Sequence, residues 1–214
     1  MPDLQPVPTL ADVPELGDGV VTLHPADARH APALGALLRD ADVQVLTGSV
    51  HSTAQAAAIA RGEAHAGPTP ERLAEIYAGW AADEDRAVWT VEAEGAVLGE
   101  ILLLDLDPGN RACGLRLWLA GAGRDRGVGT RALTLVLEHA FTTVGLHRVS
   151  LEVYDHNPRA RHVYARLGFV HEGTLRQALL LDGEWIDCHV MGLLAHEWPA
   201  RRTASSGAAA PSSD

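Results

Sequence analysis

The feature that most constrains this chain is a glycine-rich loop placed between a strand and a helix. Residues 111–120 (RACGLRLWLA) read as a strand, and residues 130–145 carry an apolar stripe at helical spacing. The loop GAGRDRGVG joins them. Such a junction exposes backbone N–H groups at the positive end of a helix dipole, where anions bind. Gly127 and Gly129 would let a diphosphate reach the backbone, because a side chain there would hold it off.

Periodicity and turn residues predict hairpins on both sides of a strand–helix–strand–helix centre. The segment 50–70 favours a helix plus a loop without fixing their limits. The other predicted elements are a strand at 19–25, helices at 26–40 and 70–84, a hairpin turning at Glu94–Gly95, a strand at 147–155, a helix at 158–168 capped by Asn157, and a last hairpin turning at Asp182–Gly183.

Length and composition predict one folded domain. The chain has 214 residues, 47% of them hydrophobic, which is enough for one core and little more. Prolines make residues 1–17 irregular, the domain spans 18–198, and the small polar residues of 199–214 predict a disordered tail. No run reaches the roughly 20 apolar residues of a membrane span, and the first residues lack a signal-peptide pattern. We therefore expect a cytoplasmic protein.

Charge and cysteine usage argue against several classes of function. A net charge of -11 without a basic block disfavours nucleic acid as a partner, and it suits a cationic amine better. The two cysteines, Cys113 and Cys188, lack the spacing of a metal site or a redox pair. We expect ordinary buried thiols, no metal and no membrane partner.

The glycine loop is also compatible with two other interpretations. Gly121, Gly123 and Gly127 give GxGxxxG after a strand, and Asp155 ends the next strand as a ribose-binding acid would in a dinucleotide fold. That fold needs further parallel crossovers, and only one helix and a hairpin remain after Asp155. A glycine-rich turn that caps a helix without binding a ligand stays open on the loop alone.

A second segment adds a resemblance to a known family. Arg124 to Gly129 (RDRGVG) resembles the R/Q-x-x-G-x-G/A loop of the GNAT acetyltransferase superfamily, and NPRARHVYARLGF (157–169) resembles its N-x-x-A-x-x-x-Y-x-x-x-G-F segment. The residues after it are similar to the branch with the RimJ/RimL-type ribosomal-protein acetyltransferases and the spermidine acetyltransferases. The resemblance covers about 86–196. It implies a single-domain GNAT fold of the α/β (α+β) class, with six to seven mostly antiparallel strands, a central splayed parallel pair and flanking helices.

The resemblance also implies acetyl-CoA as co-substrate and names the residues that would bind it. Backbone N–H groups of the loop would hold the diphosphate, and the strand end before it would pair with the pantetheine arm. Asn157 would contact the cofactor, although a plain helix-cap role is equally open. The implied binding residues are Trp118, Leu119, Arg124, Arg126, Gly127, Val128, Gly129, Thr130 and Asn157.

For the chemistry, the resemblance implies that Tyr164 protonates the departing thiolate, although helical periodicity alone would also allow a packing role. Glu100 and Glu152 are the candidate bases, and each is also credible as an ordinary surface or ion-paired carboxylate. The expected reaction moves an acetyl group to a primary amine by direct attack. A non-catalytic acyl-CoA-binding module on the same fold is the alternative.

The acceptor is left open between a protein N-terminus, a polyamine and a small molecule. Glu84, Asp85 and Asp187 could attract a cationic amine, although solvated or structural acids are the more ordinary reading. A homodimer through the exposed edge of the terminal hairpin is a further prediction.

Overall fold

The computed structural model describes residues 7–65, 67–81 and 83–198. They build one eight-stranded sheet in the order β1-β2-β3-β4-β5-β6-β8-β7. Within it β5 and β6 are parallel, and the other neighbouring pairs of described strands are antiparallel. The strands are β1 Leu16–Gly17, β2 Val21–Pro25, β3 Ala87–Ala93, β4 Ala96–Asp107, β5 Ala112–Leu119, β6 Arg148–Tyr154, β7 Val170–Leu181 and β8 Glu184–Leu194.

Helices cover both faces of this sheet. The helices are α1 Ala31–Leu37, α2 Ala41–Leu46, α3 Thr53–Arg61, α4 Pro70–Trp80, α5 Val128–Glu138 and α6 Pro158–Leu167. The larger core packs α5 and α6 against one face, with Ile101, Leu115 and Val149 among its strand residues. On the opposite face, α1 and α4 pack on Leu102 and Leu104. Because strand side chains alternate, successive residues of β4 serve the two cores in turn.

The parallel pair β5–β6 separates soon after it forms. Its backbone partners are Ala112 with Arg148, Cys113 with Val149, and Gly114 with Ser150, and no pairing follows along the described strands. From there, β5 stays paired with β4 up to Leu119, while β6 stays paired with β8 up to Tyr154. The result is a gap in the middle of the sheet, open on both faces.

The predicted fold class is confirmed, including the splayed parallel pair, but the sheet has eight strands rather than six to seven. The additional strand is the two-residue β1, which pairs with β2 and lies at the end of the segment predicted to be irregular. The predicted tail at 199–214 lies outside the described residues. Both cysteines are buried free thiols, and burial raises the pKa of Cys113 to about 12 and that of Cys188 to about 11.

The helix expected at 26–40 is shorter in the structure, and a further helix follows it. A 3-10 turn at Ala28–His30 leads into α1, and a separate helix, α2, starts after Asp40. The Asp40 carboxylate accepts hydrogen bonds from the backbone N–H groups of Asp42 and Val43, so it caps the new helix. Within 50–70 the helix is α3, which ends at Gly62 in the left-handed conformation.

Candidate active site

The glycine-rich loop leaves a run of backbone N–H groups without partners. Asp125 (φ 59°) and Gly127 (φ 76°) are both left-handed, and α5 begins directly after Gly127. Among the described residues, the N–H groups from Asp125 to Thr130 make no hydrogen bond. Alternating right- and left-handed residues before a helix N-terminus form an anion-binding concavity. Six consecutive donors at this position fit a diphosphate.

The two glycines of the motif are needed for different reasons. At Gly127 an added Cβ would meet no atom within 4 Å, so the requirement is its positive φ. At Gly129 an added Cβ would lie 3.3 Å from Leu119 Cδ1 and 3.5 Å from Leu117 Cδ2. A larger side chain at Gly129 would therefore enter the space beside these leucines.

Arg124 binds within the protein, although the resemblance places it among the cofactor-binding residues. Its Nε donates to the Leu119 carbonyl at 2.9 Å, and its terminal nitrogens pair with Asp40 at 3.0 Å and Asp42 at 2.5 Å. Burial by itself would raise the pKa of Asp40, but hydrogen bonds from the Gly121 and Val43 N–H groups and the Arg124 charge hold it below its usual value. Arg124 thus fastens the loop to α2.

Arg126 differs from Arg124 in its surroundings. Its guanidinium is exposed and pairs with the exposed carboxylate of Glu94 at 2.5 Å, with a second contact to the Ala122 carbonyl. Exposed pairs of this kind contribute little to stability and exchange readily. Its backbone N–H is one of the six unpartnered donors.

The loop opens into a cleft of about 360 Å³ on the α5/α6 face, which we call the loop cleft. Its walls are α2, the end of β5, the loop, the start of α5 and one side of α6. The predicted binding residues in its lining are Trp118, Leu119, Arg124, Gly127, Gly129, Thr130 and Asn157. The Val128 side chain is buried in the core instead, so Val128 can contribute only its backbone N–H to the anion-binding loop.

The backbone of β5 adds polar groups on the edge that faces the gap. Ala120 donates to the Leu98 carbonyl of β4, and bonding residues alternate along an antiparallel ladder. Leu117 and Leu119 therefore direct their N–H and C=O groups away from β4, and Trp118 directs its own toward β4. The Leu119 carbonyl already accepts from Arg124, which leaves the Leu119 N–H and both groups of Leu117 for an added chain.

Tyr164 lies on the α6 side of the loop cleft. The Asn157 side chain accepts a hydrogen bond from the Ala160 N–H at 3.1 Å and so caps α6, whose first residue is Pro158. Tyr164 is 8% exposed and packs edge-on against Phe169. Its hydroxyl has no hydrogen-bond partner among the described residues, and burial raises its pKa to about 12. The phenol is therefore a neutral donor.

A second cleft, of about 350 Å³, lies where β5 and β6 separate on the α1/α4 face; we call it the strand cleft. Arg116 of β5 and Glu152 of β6 are exposed in its lining. Within the part of the chain that the structure describes, the Glu152 carboxylate accepts one hydrogen bond, a long contact of 4.0 Å from the Cys188 thiol. Glu152 is thus the more accessible of the two carboxylates that the sequence singled out.

Glu100 has a different environment. It is 6% exposed and lines neither cleft; it accepts hydrogen bonds from the Tyr77 hydroxyl and, at 3.3 Å, from the Trp118 indole N–H. Burial raises its pKa, and the hydrogen bonds from Tyr77 and Trp118 oppose this only in part. Both oxygens of Glu100 are thus engaged, one by the Tyr77 hydroxyl and the other by the Trp118 indole, and the carboxylate supports the Trp118 side chain.

Sequence reasoning missed some residues of these clefts. Arg116 and Leu117 carried no motif, and the tie from Arg124 to Asp40 joins residues 84 positions apart. Of the acids considered for the acceptor, Glu84, Asp85 and Asp187 line neither cleft. The described residues contain no group of three or more metal-ligating side chains, and none of their helices has the length and apolar content to cross a bilayer.

Comparison with known proteins supports the family that the two motifs resemble. Residues 21–170, well over half of the chain, match the family model described as Acetyltransferase (GNAT) domain. Spermidine N(1)-acetyltransferase from Escherichia coli K12 is 26% identical over 128 residues, which cover 60% of this chain and 69% of that protein. The [Ribosomal protein uS5]-alanine N-acetyltransferase of the same strain is 32% identical over 91 residues, 42% of this chain and 47% of that protein.

A solved structure shows the same fold. Mycobacterium smegmatis RimJ in complex with CoA-disulfide superposes with a TM-score of 0.70 at 24% identity, over 92% of this chain and 96% of that chain. These relatives belong to the branch that the residues after the two motifs resembled. The chain therefore belongs to the acetyltransferase (GNAT) family of acyltransferases.

Proposed function

We propose that this protein transfers an acetyl group from acetyl-CoA to a primary amine in a ternary complex. The observation that carries the proposal is that the run of N–H groups without partners among the described residues, and Tyr164, belong to one cleft. The first feature fits a diphosphate, and the second fits a leaving group that takes up a proton. The sequence-related spermidine and uS5-alanine acetyltransferases are named for acetyl transfer to amines, which agrees with this reaction class.

In this proposal the backbone binds and orients acetyl-CoA. The N–H groups of Asp125 to Thr130 bind the diphosphate, with the α5 dipole adding to their attraction. The pantetheine arm enters the gap between β5 and β6 as an added strand and pairs with Leu117 and Leu119. Asn157 keeps its side-chain oxygen for capping α6, so its side-chain N–H₂ faces the cofactor. This places the thioester near Tyr164.

The reaction needs little from the protein besides position and proton transfer. A C–N bond forms as the thioester C–S bond breaks, the amine loses one proton, and the sulfur gains one. Tyr164 donates a hydrogen bond and then its proton to the sulfur as negative charge develops there. A β5 N–H beside the carbonyl oxygen stabilises the charge that builds on it. Glu152, at the gap on the opposite face, accepts the proton from the amine.

The test is acetyl transfer by the purified protein to a panel of amines, followed by release of free thiol. The panel contains spermidine, an alanyl peptide with a free N-terminus, and small amino compounds. We expect acceptor-dependent thiol release and tight acetyl-CoA binding by calorimetry. Binding without transfer to any amine would favour the non-catalytic acyl-CoA-binding module, and no binding at millimolar acetyl-CoA would refute both functions.

Two further features belong to the proposal. We place the protein in the cytoplasm, which localisation of a tagged full-length chain would test. We also propose a homodimer, because β7 is an edge strand and the terminal hairpin exposes Val170, Leu175 and Trp185. Light scattering during size-exclusion chromatography distinguishes a 22.7 kDa monomer from a dimer.

A further inference from the structure

The strand cleft holds two opposite charges that do not neutralise each other. Arg116 and Glu152 each lie two residues beyond the last backbone pair, Gly114 with Ser150. Alternation along the strands puts both side chains on the α1/α4 face, so they stand at matching positions on either side of the gap. No ion pair joins them, and Arg116 has no hydrogen bond or ion pair with any described residue.

Both charges lie near Tyr154, which follows Glu152 by two residues on β6. Burial is the main cause that raises the pKa of Tyr154, Cys188 and Glu152 raise it further, and Arg116 lowers it. The other acids of the lining, Asp105 and Asp107, lie at the opposite end, near Ala112. Asp107 accepts hydrogen bonds from the backbone and side-chain N–H groups of Asn110. Arg116 is the one cation among the described residues that line this cleft.

A guanidinium that lacks a protein partner beside a reacting amine has a chemical consequence. Guanidinium forms paired hydrogen bonds with carboxylates, and such charge-assisted bonds are about twice as strong as neutral ones. A polyamine would bring further positive charge against Arg116, whereas an amine that carries a carboxylate would satisfy both side chains. At the end of the cleft where Arg116 and Glu152 lie, the two opposite charges therefore favour a zwitterionic acceptor over a polycationic one.

We propose that Arg116 binds a carboxylate of the acceptor, so that the acceptor is a small amino acid-like zwitterion whose amine lies at Glu152. This rests on the proposed function, since it assigns the acceptor side of that reaction. Arg116 is then a residue that determines specificity, and it takes no part in the proton transfers. The carboxylate would hold the amine at the gap, on the face opposite Tyr164.

The experiment compares matched acceptors with acetyl-CoA. Glycine and arginine are each paired with their carboxamides, which keep the amine and lose the carboxylate, and spermidine is the cationic comparator. We expect kcat/KM for each acid to exceed that for its amide by about ten- to a hundred-fold, the range of a charge-assisted hydrogen bond. Arg116→Gln should abolish this ratio, and Arg116→Glu should shift preference toward spermidine. Arg72→Gln, an exposed change on α4, should leave the ratio intact.

A binding measurement separates this inference from the proposed function. Propionate, which has no amine, should compete with the acceptor in the wild type and lose that competition in Arg116→Gln. Transfer to amides or to spermidine at rates equal to or above those for the acids would overturn the inference and leave the acetyltransferase proposal standing. Absence of transfer to every amine, spermidine and peptide included, would remove the proposed function and the inference with it.

Discussion

The two faces of the gap between β5 and β6 present different chemical groups: backbone groups on one face and side chains on the other. On the α5/α6 face the loop cleft presents main-chain groups: six N–H donors from Asp125 to Thr130 and the free edge of β5. On the α1/α4 face the strand cleft presents side chains, chiefly Arg116 and Glu152. A site made of backbone is fixed by the fold and suits a ligand that stays constant. A site made of side chains can be changed one residue at a time, which suits a variable acceptor.

The largest expected effect concerns Tyr164, the proposed proton donor in the loop cleft. Tyr164→Phe should lower kcat by about 10²–10⁴-fold, because the sulfur loses its proton donor, and leave the acetyl-CoA Kd nearly unchanged. In the wild type, kcat should not fall from phenol ionisation up to pH 10, because burial raises the pKa of Tyr164 to about 12 and the donor form persists below it. Equal turnover by the phenylalanine variant would contradict the assignment.

The next effect tests whether Glu152, in the strand cleft, is the base. Glu152→Gln should lower kcat/KM by about 10²-fold, since an amide cannot accept the proton of the amine. Glu75→Gln, the same change at an exposed pair on α4, is the control and should have no effect. Glu100→Gln should cost less than Glu152→Gln. The reverse order would transfer the base to Glu100.

A third change probes the backbone site without altering any charge. Gly129→Val would put methyl groups against Leu117 and Leu119, inside the loop cleft, and raise the Kd for acetyl-CoA at least about tenfold, the equivalent of about 1.4 kcal/mol. Gly79→Val, at an exposed position of α4, is the matched control because a Cβ there meets no neighbour. Unchanged affinity in Gly129→Val, measured by calorimetry, would show that the cofactor does not enter beside this glycine.

The smallest effect concerns stability. The raised pKa of Glu100 means that the folded state binds its proton more tightly than the unfolded state. This contribution to the free energy of unfolding is complete below about pH 4.5 and is lost as pH rises through the raised pKa. The stability of Glu100→Gln relative to wild type should therefore increase with pH, by about 1.4 kcal/mol per pH unit at most.

Urea unfolding of both proteins from pH 4 to pH 9 measures this difference. Glu152→Gln serves as the comparison, because Glu152 is exposed and lacks the two short-range donors that Glu100 has. A difference between wild type and Glu100→Gln that stays constant over this range would refute the buried, proton-binding state of Glu100.

The same contrast between backbone and side chains explains what could be predicted from the sequence. Glycines at 127 and 129, the cap at Asn157 and the turns at Glu94–Gly95 and Asp182–Gly183 are local signals, and the structure places helices and turns accordingly. The start of α2 could not be predicted from local signals alone. The Asp40 carboxylate also accepts hydrogen bonds from the Gly121 N–H and the Arg124 guanidinium, which belong to a loop about 80 residues away.

The separation of Glu100 from Glu152 could not be predicted either. Both are carboxylates on strands, and their environments depend on partners that are distant in sequence. Tyr77 and Trp118 bury Glu100, whereas the divergence of β5 and β6 exposes Glu152. Arg116 gave no signal because a missing partner is a property of the folded surroundings.

The central claim is that the N–H groups from Asp125 to Thr130 bind the diphosphate of acetyl-CoA. Its most direct test is a ¹⁵N NMR titration of the full-length protein with CoA and, separately, with pantetheine, which lacks the diphosphate. We predict large shifts of these six amide resonances with CoA and small ones with pantetheine. Amide resonances that stay in place with CoA, or that move equally with both ligands, would contradict the claim.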